Sequence, residues 1–308
     1  MMSSAYVVSV PDERLRTALG EIDPRVEVIV WDMKQDAPRD RIDIVVPSYL
    51  DGTRLFSRLR GVKTWLVQSQ SIGYDGVQEA LPEGHVYANA ASVHETSTAE
   101  LTLALILASQ RGVDDFVRAA SAGHWAPRWH ESLADRNVLL VGYGGVGAAI
   151  EARLVPFEVR IVRVASHERV DERGRIYGPS SLEDLLADAD IVVVVVPLTE
   201  DTEHLIDDRF LSRMRDGSLL VNVSRGRVAD AQAILRHART GRLRFALDVT
   251  DPEPLPDSHE LFTLTNVLIS PHIGGATSAM LPRMARLLRT QIDLMLAGDA
   301  PVNVVLHS

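Results

Sequence analysis

The chain contains no cysteine. Disulfides, thiolate metal sites and thiol nucleophiles are thereby excluded. A basic surface is missing as well. Asp and Glu number 42 against 32 Lys and Arg, a formal net charge of -10. That sign argues against nucleic acid as the main partner, because phosphate contacts need a positive face. A small anionic ligand stays open, since it needs only a local cation. No long apolar run is present either. The longest, Ile191–Leu198, is far short of the ~20 residues of a membrane helix. Met1–Val10 lacks the basic flank and apolar stretch of a signal peptide. A soluble cytoplasmic protein is the expectation, and no internal repeat or low-complexity segment interrupts it.

What is present is enough apolar material for real cores: 46% of 308 residues, a length that suggests about two domains. Short apolar runs alternate with helix-like segments, which predicts an α/β chain with two doubly wound, Rossmann-like parallel-sheet domains and a cleft between them. Tyr6–Val10, Val26–Trp31, Ile42–Pro47 and Thr64–Gln68 read as strands of a first unit, with short helices at Asp12–Leu19 and Thr53–Leu59. Val93–Gly112 is apolar on nearly every side from Glu100 to Ala108, the mark of a helix buried in a core or between subunits, and a plausible connector into the second domain. That domain opens with a strand at Asn137–Val141 and a helix at Val146–Val155. Strands at Val159–Ala165, Ile191–Val196, Leu219–Val223, Phe245–Val249 and Val267–Ser270 follow. The helix Thr277–Leu296 stops at Gly298 and leaves a tail, Pro301–Leu306. It is expected to return to the first unit, giving domains of 1–96 plus 278–308 and of 97–277.

The glycine loop Gly142-Tyr143-Gly144-Gly145-Val146-Gly147 follows a predicted strand and opens a predicted helix, the context in which G-x-G-x-x-G binds a dinucleotide. Gly142 allows the tight turn, Gly144 lets backbone approach a pyrophosphate, and Gly147 lets helix and strand pack closely. The helix N-terminus adds amide donors and a favourable dipole. The acid expected at the end of the next strand, to hold the ribose hydroxyls, is absent: Ala165 stands there. Ser166, His167 and Arg169 follow, all able to donate to a phosphate, which favours NADP over NAD. Glu168 is the counter-indication, since a small shift of the strand end would bring it to the ribose.

Each of the later strands ends in a loop with a candidate functional residue, and ligands bind at such carboxyl ends. Arg225, Glu253 and His272 stand out. Reduction of a 2-oxo acid needs a cation to hold the carboxylate and polarise the ketone, which suits arginine's planar fork. It needs a proton donor of near-neutral pKa, which suits histidine. It needs a carboxylate to keep that donor protonated. Taken singly each is a common loop residue; three successive strand ends make a constellation. No metal enters this scheme.

At these residues the chain resembles the D-isomer-specific 2-hydroxyacid dehydrogenases. The likeness rests on Ser97-Thr98-Ala99-Glu100, the glycine loop, Ser181–Leu186 with Ala189-Asp190, Pro197-Leu198-Thr199 with Thr202, Val221–Gly226, Leu247–Val249 through Glu253-Pro254, and Ser270–Thr277. The resemblance implies that Arg225 binds the substrate carboxylate and carbonyl, that His272 is the acid/base and that Glu253 is its partner. It implies that Ser71, Ile72 and Gly73, with Tyr74 and Asp75, form the substrate loop of the other domain. Val196, Pro197, Thr202, Ser224, Asp248 and Gly274 fall where the family lines the cofactor. It also implies a homodimer, through the dinucleotide domain and a helix like Glu100–Gln110. Tyr49 and Trp129 are further candidates for the substrate pocket; Trp129 is similar in place to a tryptophan that some NADP-dependent glyoxylate and hydroxypyruvate reductases lay over the neighbouring subunit's substrate, the alternative being packing under a loop. Two departures are Ala165 and the missing glycine after Phe157. The chain stops at Ser308, so the long phosphoglycerate dehydrogenases are not expected matches. Two alternatives remain: a dinucleotide-sensing binding protein with little turnover, and a dehydrogenase of another small anion such as formate or phosphite.

Overall fold

In the computed structural model, which describes residues 6–49 and 51–308, the chain divides into unit 1, Met1–His94 with Thr277–Ser308, and unit 2, Glu95–Ala276. In unit 1, β1 (Tyr6–Val10), β2 (Val26–Val30), β3 (Ile44–Val45), β4 (Leu66–Gln68) and β5 (Val86–Ala88) run parallel in the order β5-β4-β3-β1-β2. The helices are α1 (Glu13–Leu19), α2 (Val77–Ala80) and, on the chain's return, α9 (Met280–Ala297). Asp12 starts α1 by accepting from the Leu15 amide, the usual way to satisfy a free N-terminal donor. Neighbouring strand residues alternate between two cores. Val8, Ile44 and Leu66 meet Leu15, Leu288 and Ile292, while Val7, Val45 and Val67 meet Phe56, Leu59 and Val77. The segment expected as a tail is β14 (Val304–His307), which pairs antiparallel with β5.

Unit 2 begins with α3 (Glu95–Arg111) and α4 (Val113–Ser121). The sequence predicts only the first; Gly112, at φ 60°, closes α3 and opens α4. Then come β6 (Asn137–Val141), α5 (Gly145–Leu154), β7 (Arg160–Val164), a hairpin of β8 (Arg169–Asp171) and β9 (Gly174–Tyr177), α6 (Leu182–Asp188), β10 (Ile191–Val194), α7 (Asp208–Arg213), β11 (Leu219–Asn222), α8 (Ala231–Thr240), β12 (Arg244–Leu247) and β13 (Val267–Ile269). The hairpin is likewise not among the elements read from the sequence, nor are α6, α7 and α8, or α2 and β5 of unit 1. The eight strands lie in the order β13-β12-β11-β10-β6-β7-β9-β8, with only β8 antiparallel to its neighbour. The unbroken Ile191–Val194 run is explained by helices on both faces. Ile191 and Val193 join Leu140, Ile150 and Ile106 on one side, and Val192 and Val194 join Leu139, Phe210 and Ile234 on the other. Strand order runs outward in both directions from β6 and β10, so the loops at their carboxyl ends flank the switch point where open α/β sheets take ligands. Among the described residues no helix is long and apolar enough to cross a membrane.

Candidate active site

The three glycines of the loop after β6 are each required for a different reason. Gly142 has φ 105°, and a Cβ there would sit 2.5 Å from the Val195 carbonyl oxygen. A Cβ on Gly147 would sit 2.5 Å from the Gly142 oxygen, so helix and loop pack at van der Waals contact. Gly144, at the N-cap of α5, is exposed and faces open space. An N-terminus whose cap carries no side chain leaves amide donors for an anion. These features fit a dinucleotide's pyrophosphate.

Beyond β7, Ala165 gives its amide to Tyr177, and Ser166 and His167 are exposed, their side chains 3.0 Å apart. Glu168 is bound by Arg175 of β9, at 2.9 Å from Nε and 2.8 Å from an η nitrogen. Its carboxylate is therefore engaged with the hairpin. Arg169 donates to the Tyr143 carbonyl at 3.0 Å, bringing a guanidinium onto the glycine loop itself.

The loops at the other strand ends are stitched together by polar groups. After β10, the Thr202 hydroxyl donates to the Pro197 carbonyl at 2.6 Å and accepts from the Thr199 amide at 2.8 Å, which closes the Val196–Thr202 turn. After β11, Asn222 accepts from the Ser224 amide and hydroxyl and donates to the Arg225 carbonyl. Ser224, expected at the cofactor, is buried and has its hydroxyl on Asn222. Asn222 is the residue the sequence reading passed over; its signal was a lone amide at the end of an otherwise apolar strand. Arg225 follows, and its Nη1 donates to the Ser224 carbonyl at 2.7 Å. Gly226 meets the loop after β12 so closely that a Cβ would lie 1.8 Å from the Thr250 oxygen.

Asp248 is 3% exposed. Its carboxylate accepts from the Ser270 hydroxyl at 2.6 Å and from the Ile273 and Gly274 amides at 3.0 and 3.1 Å. Its carbonyl accepts from the His272 amide at 2.7 Å. Asp248 thus clamps the histidine loop, and Gly274 is small because that carboxylate crosses it. The clamp holds His272 at φ 52°, a left-handed backbone that a non-glycine residue adopts only under constraint. His272 Nδ1 donates to Glu253 Oε1. That bond raises the imidazole pKa above its usual 6.5; burial and the positive charge of Arg225 oppose the rise, and the charges of Glu253 and Asp248 support it. Both side chains keep more than 40% exposure, at 44% and 42%, so a ligand can reach the remaining ring nitrogen, Nε2.

In unit 1, the loop after β4 is equally built. The Ser71 amide donates to Ser69 Oγ, the Ser71 carbonyl accepts from Ala90, and Asn89 donates to the Ile72 carbonyl, all at 2.9 Å. Gly73 follows, half-buried. His94, also passed over, donates through Nε2 to the Gln70 carbonyl at 2.6 Å and stacks on Tyr49 with ring centroids 5.7 Å apart. Trp129 is fully exposed, so it does not pack under a loop.

The chain is similar to known proteins in sequence and in fold. Residues 103–274 match the model of the D-isomer specific 2-hydroxyacid dehydrogenase, NAD binding domain. The chain is 32% identical over 309 residues to a glyoxylate reductase of Korarchaeum cryptofilum, covering 93% of this chain and 92% of that one. It is 31% identical over 306 residues to a glyoxylate reductase of Pyrococcus furiosus, covering 92% and 90%. Among solved structures, a Thermus thermophilus protein is 30% identical with a TM-score of 0.78, covering 98% of this chain and 100% of that one. An NADPH-dependent glyoxylate/hydroxypyruvate reductase of Sinorhizobium meliloti, in complex with NADP and malonate, is 25% identical with a TM-score of 0.81, covering 99% and 98%.

Proposed function

The chain belongs to the D-isomer-specific 2-hydroxyacid dehydrogenases, and from that premise we propose that it reduces glyoxylate, hydroxypyruvate or a similarly small 2-oxo acid with NADPH in preference to NADH. Membership makes it an NAD(P)-dependent oxidoreductase. The observation that carries the finer reading is the Glu253–His272 pair, close enough to Arg225 for that charge to act on the imidazole.

In the reductive direction Arg225 holds the substrate carboxylate and draws electron density from the ketone oxygen. His272 Nε2 delivers its proton to that oxygen as it becomes an alkoxide. Glu253 fixes the ring through Nδ1 and keeps it protonated at neutral pH. The bound dinucleotide supplies the hydride. Gly142, Gly144 and Gly147 with the α5 amides hold its pyrophosphate, with Tyr143, Gly145 and Val146 completing the loop; Val196, Pro197 and Thr202 border it. Ser224, Asp248 and Gly274 act by shaping the loops that carry Arg225 and His272. We assign dinucleotide binding to unit 2 and a substrate loop to unit 1, where Ser71 is tied back to Ser69, the Ile72 and Gly73 amides are the ones offered to an anion, and Tyr49, on His94, sets the size of acid accepted.

The NADPH preference rests on Ala165, on Ser166, His167 and Arg169 beyond it, and on the engagement of Glu168 with Arg175. The NADP-bound Sinorhizobium meliloti reductase is consistent with it. A second copy of the chain fits the exposed apolar surface of α4 and the segment after it, where Phe116, Val117, Trp125 and Trp129 all stand in solvent; a homodimer would cover them. In that dimer Trp129 is the candidate for the partner's substrate.

Steady-state rates with glyoxylate, hydroxypyruvate and pyruvate, each with NADPH and NADH, test the proposal. The expected result is turnover of the first two with the higher kcat/KM for NADPH. Tight dinucleotide binding without turnover of any acid would make the protein a sensor, and turnover confined to formate or phosphite would move it to another substrate class.

A further inference from the structure

Next to the glycine loop lies a charged cluster that the chemistry above does not use. Arg163 of β7 is 2% exposed and Glu151 of α5 is 5% exposed. Arg163 Nη1 donates to both carboxylate oxygens of Asp171 at 3.1 Å and to the Tyr143 hydroxyl at 3.4 Å. Its guanidinium lies 5.1 Å from the centre of the Tyr143 ring, and Glu151 Oε1 is 3.7 Å from Nη1. The Tyr143 hydroxyl also donates to Glu151, and Arg173 Nη1 donates to Glu151 Oε2 at 2.9 Å. Two cations and two anions thus neutralise one another around one phenol.

Burying such a set is unfavourable unless every member is paired, and an apolar strand and helix would pack without it. What the set does is join three elements. Tyr143 belongs to the glycine loop, Glu151 to the helix behind it, and Asp171 and Arg173 to the turn of the β8–β9 hairpin. The apolar anchorage of the hairpin lies in β9, through Ile176 and Tyr177; β8 is the edge of the sheet and its Val170 is 77% exposed. Arg169 begins that hairpin and donates to the Tyr143 carbonyl. Tyr143 is therefore gripped by its hydroxyl from the cluster and by its carbonyl from Arg169.

We propose that Arg163, Glu151, Asp171 and Arg173 are positioning residues for cofactor selection: they dock the β8–β9 hairpin against the glycine loop so that Arg169 is presented to the ribose 2′-phosphate. The inference rests on the NADPH reading above. None of the four touches the cofactor; they act through the place and rigidity of Arg169. Asp171 and Arg173 form the outer half of the cluster, so removing both keeps the inner half neutral and the buried Arg163–Glu151 pair intact.

The test is calorimetric titration of the full chain with adenosine 2′,5′-bisphosphate and with adenosine 5′-monophosphate, probes that differ only in the 2′-phosphate. In the double variant Asp171→Asn, Arg173→Ala, affinity for the bisphosphate should fall about tenfold, the loss of roughly one charge-assisted hydrogen bond, while the monophosphate binds as before. KM for NADPH should rise in parallel, with kcat at saturating cofactor unchanged. Arg173→Lys, which keeps the charge facing Glu151, should retain wild-type discrimination. If the double variant melts early, Arg173→Gln alone carries the test. Equal loss of both probes, or loss of neither, overturns the inference. Arg169→Ala separates it from its premise. If that change abolishes discrimination and the double variant does not, the positioning role fails and the NADPH reading stands. If the wild-type chain binds both probes alike, the NADPH reading fails and the inference falls with it.

Discussion

Gly226→Ala adds one methyl group at the point where two catalytic loops touch. The new Cβ would lie 1.8 Å from the Thr250 oxygen, 2.4 Å from the Thr250 carbonyl carbon and 3.0 Å from the Asp251 nitrogen. All three are backbone atoms, so no side chain can swing aside. Cβ contacts under 3.0 Å essentially do not occur, so opening the shortest contact to that limit moves the loops apart by about 1.2 Å. One of those loops carries Arg225 and the other leads into Glu253. Overpacking of this kind costs about 1–3 kcal/mol, and Tm should fall by roughly 2–4 °C for each kcal/mol. The rate should suffer more than the stability. A misplacement of about 1 Å in a reacting constellation costs about a hundredfold, so kcat/KM for glyoxylate should drop by about that factor. NADPH binding, followed by its fluorescence, should stay near wild type, because the glycine loop is not among the contacts. Unchanged kcat/KM and Tm would refute the reasoning: the loops would then part without disturbing the alignment of Arg225 with Glu253 and His272. A loss of rate matched by an equal loss of NADPH affinity would refute it too, since the damage would have spread beyond the two loops.

Three other substitutions have expected outcomes. His272→Asn should lower kcat by about 10²–10⁴, the usual worth of a positioned proton donor, with NADPH affinity preserved; a calorimetric titration beside the kinetics checks both halves. Glu253→Gln should move the alkaline limb of kcat/KM for reduction to lower pH. Glu253 raises the pKa of His272 and reduction uses the protonated ring, so losing the carboxylate ends the active range sooner; a limb that stays in place or moves up would count against the pair. The same raised pKa stabilises the folded wild-type chain below the unfolded value of 6.5, and that contribution is lost as pH rises through the folded value. Val117→Asp should convert a dimer to monomers in sedimentation experiments, because it puts an unpaired charge in the covered surface; a wild-type chain that sediments as a monomer would remove the dimer from the proposal.

What could be read from sequence follows from what determines each feature. β10 was legible because Ile191–Val194 is buried on both faces and needs apolar residues throughout, and the start of α1 because Asp12 is a capping residue beside an apolar pattern. Arg225, Glu253 and His272 were legible as candidates because a strand end is marked by its own strand. The missing acid at Ala165 needed only a spacing. Other features depend on residues far apart in the chain. Arg163 looks like a solvent-facing arginine of β7 until Asp171, Glu151 and Tyr143 surround it. Glu168 looks free for a ribose until the hairpin brings Arg175 to it. Asp248 was legible as a site candidate, but the loops that it, Asn222 and His94 organise were not, because most of their partners are backbone groups, which leave no trace in residue identity. α4 was missed for a local reason: Gly112 ends one helix, and the apolar stripe of Val113, Phe116 and Val117 is short and lies in solvent.

The split of unit 1 across the chain has a consequence for the newborn polypeptide. Val8, Ile44 and Leu66 are covered by Met284, Leu288 and Ile292 of α9, which leaves the ribosome only after every residue of unit 2. Domains tend to fold as they emerge, first made, first folded. Here that order is inverted. Unit 2 is contiguous from Glu95 to Ala276 and has its whole core in hand before the first-made strands have theirs. Through all of that synthesis one apolar face of the early sheet waits for its cover, an interval in which the nascent chain is a natural client for a chaperone.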